Sequence, residues 1–244
     1  MKIVAIIQAR MGSERLPGKV LYQLGDKTVL AHIVDRLKQI RGLDVLVATT
    51  MLPQDDVIVN EANHHDIVVF RGSEQNVLSR YYEAACAAQA EIVIRITADC
   101  PFLDPVILQQ MLDKFLKQNE MQQIDYLSNT LIRTMPRGLD AEIFTMNALK
   151  KAHQAARDPD ELEHVTPYIY RNPEYFKLHA FVSEHTNLTH YRLTLDTPAA
   201  WELISEIYKR IRGKFNWQQI GCIQRVIDKE PALLKINSHI PQKQ

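Results

Sequence analysis

In the first half of the chain, short apolar runs alternate with longer stretches in which apolar positions recur every three or four residues. Ile3 to Ile7 is a continuous apolar run of buried-strand type. Thr28 to Ile40 then places Val29, Leu30, Ile33, Val34, Leu37 and Ile40 on one helical face. Asp44 to Thr50 is β-branched and apolar, a second buried strand. Pro53 suits the first turn of a helix reaching to about His64, with Asp55 and Asp56 near its positive end. Ile67 to Phe70 reads as the third strand. After a loop at 71–74, Val77, Leu78, Tyr81, Ala84, Ala85 and Ala88 mark the next helix, and Ile92 to Thr97 is the fourth strand. Strand and helix in strict alternation predict right-handed crossovers and an α/β fold, with three layers around a mainly parallel sheet. Ligands bind beyond the carboxyl ends of such strands. The loops at 10–19, 50–53, 71–76 and 98–104 are therefore expected on one rim.

The second half is less regular. Pro105 to Gln118 and Met146 to Arg157 read as helices, and Asp160 to Tyr170 as a helix bent at Pro167. Strands are predicted at Asp125 to Ser128, Gly138 to Phe144, Lys177 to Val182 and Tyr191 to Leu195. Ala199 to Arg212 and Trp217 to Lys229 are amphipathic closing helices, and Gln242 to Gln244 is a frayed tail. No linker is rich enough in Gly, Ser or Pro to split the chain. The expectation is one domain over 1–244, with a first half (1–120), a middle region (121–198) and closing helices (199–244).

Composition narrows the function classes. A hydrophobic content of 46% in 244 residues supports a sizeable core. A formal net charge of zero argues against a broad nucleic-acid or polybasic membrane surface. No run approaches a membrane span, and no basic–apolar signal pattern opens the chain. Three widely spaced cysteines, Cys86, Cys100 and Cys222, point to a reduced, cytoplasmic setting without disulfides or structural zinc.

The chemistry concentrates after the first strand. The loop carries Gly12 and Gly18, which let backbone approach a ligand, and three cations, Arg10, Arg15 and Lys19. Together these suit a triphosphate, although an ordinary loop of solvated charges would read the same way. It matches neither a Walker loop nor a dinucleotide fingerprint. The run R-x-x-S-x-R-L-P-G-K over residues 10–19 does resemble the opening of the cytidylyltransferases of the CMP-KDO synthetase and acylneuraminate type. Ile7-Gln8-Ala9-Arg10-Met11-Gly12-Ser13 is most similar to the spore-coat polysaccharide biosynthesis protein F branch. The resemblance implies a nucleotide-diphospho-sugar transferase-like fold (Rossmann-like, GT-A-like). It also implies Mg²⁺-dependent transfer of CMP from CTP to a sugar acid or related acceptor, and frequently a homodimer, with residues 1–120 as the nucleotide-binding half and 121–198 as the acceptor and dimer region. Gln8, Ala9, Arg10, Gly12, Ser13, Arg15 and Lys19 become nucleotide-binding candidates, with Arg10 and Lys19 also catalytic.

Asp99, after the fourth strand, is well placed to hold Mg²⁺, whereas Asp104, directly before Pro105, fits a helix N-cap. The turn around Asp99 is similar to the family's metal-binding D-x-P turn, which makes Asp99 both catalytic and a metal ligand. Asp196 also precedes Thr197-Pro198 and by position alone suits a cap. Leu195-Asp196-Thr197-Pro198 resembles the family turn whose aspartate is the second metal ligand. Arg71, Ser73 and Arg80 lie in a block resembling the family's nucleotide-contacting segment, with Asn76 where the family has Asp. Pro136 to Glu142 resembles the P-x-G-L-D-x-E block, so Arg137, Asp140 and Glu142 are acceptor candidates, joined by His164 from Glu163-His164-Val165-Thr166-Pro167. A surface salt-bridge cluster and a packed histidine stand as the plain alternatives. Asp158-Pro159-Asp160 has the D-x-D form used by glycosyltransferases with nucleotide-sugar donors, the competing activity on this fold, but between helices it reads better as capping, Asp160 with Glu163. A nucleotide-binding partner without catalysis is a third reading.

Overall fold

The structure is a computed structural model describing residues 1–183, 188–214 and 218–241. Trp217, at the start of the last predicted helix, and the tail at 242–244 lie outside the described residues. Strand β1 (Ile3–Gln8) is followed by a small hairpin, β2 (Gln23–Leu24) and β3 (Lys27–Thr28), and by helix α1 (Val29–Leu37). Then come β4 (Leu43–Thr50), α2 (Asp56–His64), β5 (Val68–Gly72), α3 (Val77–Ala87), β6 (Ile92–Thr97) and α4 (Pro105–Glu120). The second half adds β7 (Tyr126–Ser128), β8 (Glu142–Thr145), α5 (Met146–Ala155), α6 (Pro159–His164) and α7 (Pro167–Tyr170). Strand β9 (Leu178–Ala180), α8 (Pro198–Ile211) and α9 (Ile220–Lys229) complete it.

Seven strands form one sheet in the order β5-β4-β1-β6-β8-β7-β9. The four strands of the first half are mutually parallel, while β8 runs antiparallel to both β6 and β7. Period two along β1 sends Ala5 and Ile7 into a core shared with α1, α4, α8 and α9. Val4 and Ile6 enter a second core with α3, α5 and α7. A sheet buried on both faces needs apolar residues at every position of its central strand, which is why β1 reads as a continuous apolar run. Gln8 pairs with Ala48 and Thr97, and Thr50 with Gly72, so four parallel strands end on one rim, as the alternation predicts.

Three predicted elements come out differently. The helix expected over 160–170 divides into α6 and α7, because Val165 takes a positive φ of 73° and Pro167 restarts the chain at a new first turn. The strand expected over 138–144 shortens to β8. The Asn129 side chain replaces the ladder there, donating to the Leu139 carbonyl at 2.8 Å and accepting from the Ala141 amide at 3.0 Å. The run 191–195 is extended but makes only a single bridge, Arg137 with Arg192. Its amides go to different segments, Leu193 to the Arg137 carbonyl and Leu195 to the Asp99 carbonyl, both at 2.8 Å. The hairpin at 23–28 has too few residues to announce itself by periodicity.

Candidate active site

Residues 9–18 are held in shape from two sides. The Met11 carbonyl accepts from the amides of Ser13 (2.9 Å) and Gly18 (3.0 Å), which closes the loop on itself. The Met11 amide donates to the buried Asp55 at 2.8 Å, and Asp55 also accepts from the Thr50 hydroxyl at the end of β4. Gly18 has φ 69°, a left-handed conformation that side chains disfavour, and it turns the backbone into a short 3₁₀ helix beginning at Lys19. This geometry delivers the Lys19 ammonium to Asp99 at 2.6 Å.

Asp99 leaves the end of β6. Burial raises its carboxyl, but Lys19 outweighs that effect, aided by hydrogen bonds from Thr97 and Cys100, and holds it below the usual aspartate range. The neighbouring Cys100 thiol is driven well above its ordinary value by burial and by the Asp99 charge, so it is no ready nucleophile. Asp104 caps α4, accepting from the amides of Val106 and Ile107, and also holds the Ile220 amide at the start of α9.

Asp196 does not cap α8, because Thr197 does so by accepting from the Ala200 amide. Its carboxylate faces the cleft instead. Oδ2 accepts from Arg15 at 2.6 Å and from Arg192 at 2.5 Å. Oδ1 is buried with no partner among the described residues, and the side-chain oxygen of Gln8 is in the same condition. A buried unpaired carboxylate oxygen is costly unless something electropositive meets it. Asp99 and Asp196 therefore fit a hard divalent cation that takes one or two carboxylates and completes its shell with water and phosphate oxygens. Among the described residues no cluster of three or more His, Cys, Asp or Glu offers an all-protein metal cage.

The cleft these groups line has a volume of about 400 Å³. It gathers Gln8, Arg10, Ser13, Arg15, Lys19, Asp99 and Asp196 from the sequence-derived set. It adds Glu163, whose carboxylate lies 4.0 Å from the Arg10 guanidinium, and Thr97. Glu163 and His164 share one short helix, so only one of two adjacent residues can face the cleft, and Glu163 does. His164 is exposed and lies 3.5 Å from Asp160. Arg192 was legible in hindsight: period two along an extended segment puts it on the same face as Asp196. Asp55 stands at the head of α2, as expected of a helix-dipole residue, and is also a buried brace behind the loop. A carboxylate reaching across 44 residues leaves no local signature.

The other candidates lie outside this cleft. Arg71 is fully engaged by the carbonyls of Thr50 and Leu52 and by Asp56, bracing the adjoining rim loop. Arg80 is buried and donates to the Ser73 carbonyl at 2.6 Å, and burial lowers its pKa. The Ser73 hydroxyl accepts from the Asn76 amide, while Asn76 caps α3, a role open to Asn and Asp alike. Ala9 is buried, its amide on the Ala48 carbonyl, and Gly12 sits beneath the side chains of Gln54 and Glu74. Arg133 forks onto Asp140 at 2.7 and 3.1 Å beside Arg137, the arginine-rich edge where 133–140 meets 192. Burial, then repulsion from Arg133, lowers the Arg137 pKa. Glu142 is buried between Arg95, the Tyr126 hydroxyl (2.5 Å) and the Thr166 hydroxyl (2.6 Å), within the sheet. The D-x-D carboxylates are occupied as well. Asp158 caps α6 in a capping box with Glu161, two residues earlier than the expected pairing of Asp160 with Glu163, and Asp160 pairs with Arg171 at 2.6 Å.

Comparison with known proteins gives a consistent picture. A cytidylyltransferase family model matches residues 4–226. The spore coat polysaccharide biosynthesis protein SpsF of Bacillus subtilis is 34% identical, covering 85% of this chain and 87% of that protein. A solved cytidylyltransferase from Leptospira borgpetersenii superposes with a TM-score of 0.90 at 36% identity, over the whole of both chains. CMP-2-keto-3-deoxy-manno-octonic acid synthetase, solved in complex with CTP, covers 86% of this chain and 99% of its own with a TM-score of 0.65; at 19% identity this establishes shared fold. With an α/β sheet of the nucleotide-sugar transferase type and a loop and cleft of this composition, the chain belongs to the cytidylyltransferase family.

Proposed function

We propose that the protein transfers CMP from CTP to an oxygen of a sugar acid or related acceptor, releasing pyrophosphate, in the biosynthesis of cell-surface polysaccharide or glycoconjugate. The observation that carries this reading is the pairing of loop cations with rim carboxylates: Lys19 with Asp99 and Arg15 with Asp196, in one cleft. Each cation suits a phosphate oxygen, and each carboxylate suits a metal. The SpsF relative and the CTP-bound fold neighbour support the nucleotide and the biosynthetic setting.

In this reading Arg10 and Lys19 hold the β- and γ-phosphates and stabilise the leaving pyrophosphate, with Arg15 assisting. Asp99 and Asp196 would hold Mg²⁺, which when bound supplies Lewis-acid neutralisation of phosphate charge. Gln8 and Ser13 orient the α-phosphate region from the loop. The protein's task is positioning and electrostatics, so the absence of an evident general base is no obstacle. The arginine-rich edge of Arg137, Arg133 and Asp140 is the acceptor side. Glu142, closed on Arg95, Tyr126 and Thr166, supports that edge only as scaffold, and His164, exposed beside Asp160, takes no part in it.

A homodimer through the middle segment belongs to the same reading, supported by exposed Leu131 and Ile132. So does a cytoplasmic location, where the proposed substrate is made. Among the described residues no helix is long and apolar enough to cross a membrane. The test is pyrophosphate release with Mg²⁺ and each of the four nucleoside triphosphates over a pool of 3-deoxy-ulosonic and other surface sugars. Release with CTP, abolished in Asp99→Asn, is expected. Binding of a nucleotide-sugar with no binding of CTP would overturn the reading in favour of glycosyl transfer.

A further inference from the structure

Asp55 is completely buried, and the transfer as proposed gives it no part. It ends a 3₁₀ turn over Pro53–Asp55, and its own amide closes that turn on the Leu52 carbonyl at 3.0 Å. Arg71 clamps the turn from outside through the carbonyls of Thr50 and Leu52. The carboxylate therefore stands on braced backbone just beyond the end of β4, behind residues 9–18. Its two oxygens divide between two segments. Oδ1 accepts from the Met11 amide at 2.8 Å, and Oδ2 from the Thr50 amide at 3.3 Å and the Thr50 hydroxyl at 2.5 Å. An asparagine in this place would offer one acceptor oxygen to three donors, whereas a carboxylate offers two and meets them all.

The Met11 contact is the one that reaches the cleft. A peptide unit is planar, so holding the Met11 N–H also fixes the Arg10 carbonyl and the direction in which the chain leaves Arg10. The Met11 carbonyl is the next link, accepting from the amides of Ser13 at 2.9 Å and Gly18 at 3.0 Å. Gly18 leads directly into Lys19, whose ammonium meets Asp99 at 2.6 Å. One buried oxygen thus anchors a series of hydrogen bonds running from the end of β4 to the segments that carry Arg10 and Lys19. Without it, the Met11 amide loses its acceptor, and the loop gains alternative geometries that must be given up when a polyphosphate binds.

We propose that Asp55 is a positioning residue for the transfer: it sets the loop at 10–19 in its phosphate-holding shape before any nucleotide arrives. This rests on the reading that the loop cations take the triphosphate, and adds the group that preorganises them. The probes are inorganic tripolyphosphate and CTP, each with Mg²⁺, titrated calorimetrically into the full chain at a temperature where circular dichroism shows each protein folded. Asp55→Ala should bind tripolyphosphate roughly tenfold or more weakly than the parent, the scale of one hydrogen bond to a charged group. Asp55→Leu, which keeps most of the volume, serves where the alanine variant does not fold and should show the same loss. Asp55→Asn keeps an acceptor for the Met11 amide and should recover most of the affinity, to within about threefold of the parent. Thr50→Val removes a partner of the far oxygen and spares Met11, so it should lower the melting temperature and leave tripolyphosphate affinity unchanged. Parental affinity in folded Asp55→Ala or Asp55→Leu would overturn the assignment while leaving nucleotidyl transfer standing. So would an equal loss in Thr50→Val, because the effect would then follow stability and not the loop. A parent that binds neither probe would sink the transfer reading and this assignment together.

Discussion

Two clusters of cations and carboxylates sit within this molecule and use the same chemistry for different ends. In the sheet, Glu142 joins Arg95 of β6, Tyr126 of β7 and Thr166 at the head of α7. Both of its oxygens are taken, and its side chain is 8% exposed. In the cleft, Lys19 pairs with Asp99 while Arg15 and Arg192 share one oxygen of Asp196, leaving the other with no partner among the described residues. Asp99 is 22% exposed and Arg15 35%. A carboxylate with both oxygens taken inside the sheet can only hold strands in register. A pair with an orphan oxygen and an open side can exchange partners, its cation passing to a phosphate and its carboxylate to a metal. Saturation, more than charge, separates the scaffold from the site.

That contrast breaks first in the scaffold. Glu142→Ala strands the Arg95 guanidinium in the sheet, and loss of one partner from a buried pair costs about 3–5 kcal/mol. Denaturant melting should show that loss, and a cost below about 1 kcal/mol would mean the network is solvated after all. Asp99→Asn is the matching change in the cleft. It should move the denaturant midpoint less than Glu142→Ala does and lower kcat/KM by roughly a thousandfold, the upper range for removing one electrostatic contact to a transition state. Lys19→Ala should lower turnover by about a hundredfold with the fold intact. Parental turnover in that variant would remove the phosphate role from the loop. Gly138→Ala lies between the two regions. Its φ is 99°, and an added Cβ would stand 2.4 Å from the Leu193 carbonyl carbon. Strain of about 1–3 kcal/mol is expected. Because the pushed segment carries Asp196, activity measured where the variant is fully folded should also fall; unchanged activity would uncouple the glycine from the site.

The same contrast explains what the sequence could reveal. The parallel half was legible because a strand covered on both faces must be apolar throughout, and a helix covering it must be apolar every third or fourth residue. The loop cations and Asp99 stood out because they follow strands, and Asp196 because it ends an alternating run before a helix start; the cleft brings them together. The antiparallel half was harder. Asn129 stands in for a strand ladder and Val165 breaks a helix, and neither event alters hydrophobic period. Site candidates taken from short blocks divided for a similar reason. Glu142 sits in a block that resembles an acceptor site, yet its partners at 95, 126 and 166 are fixed only by the tertiary pairing of β6, β7 and β8. Adjacent residues also point different ways, so Glu163 faces the cleft and His164 the solvent.

The hydrogen bond from the Leu195 amide to the Asp99 carbonyl, with the Arg15–Asp196 pair beside it, has a temporal meaning. Arg15 and Asp196 are separated by 181 positions along the chain. Contacts of such long sequence separation form late, because the loop they close must first be ordered. During synthesis the loop that carries Arg15 emerges 181 positions ahead of Asp196. A chain made only as far as the loop thus carries Arg15 without its distant counter-charge, and the cleft takes shape only once Asp196 has joined it.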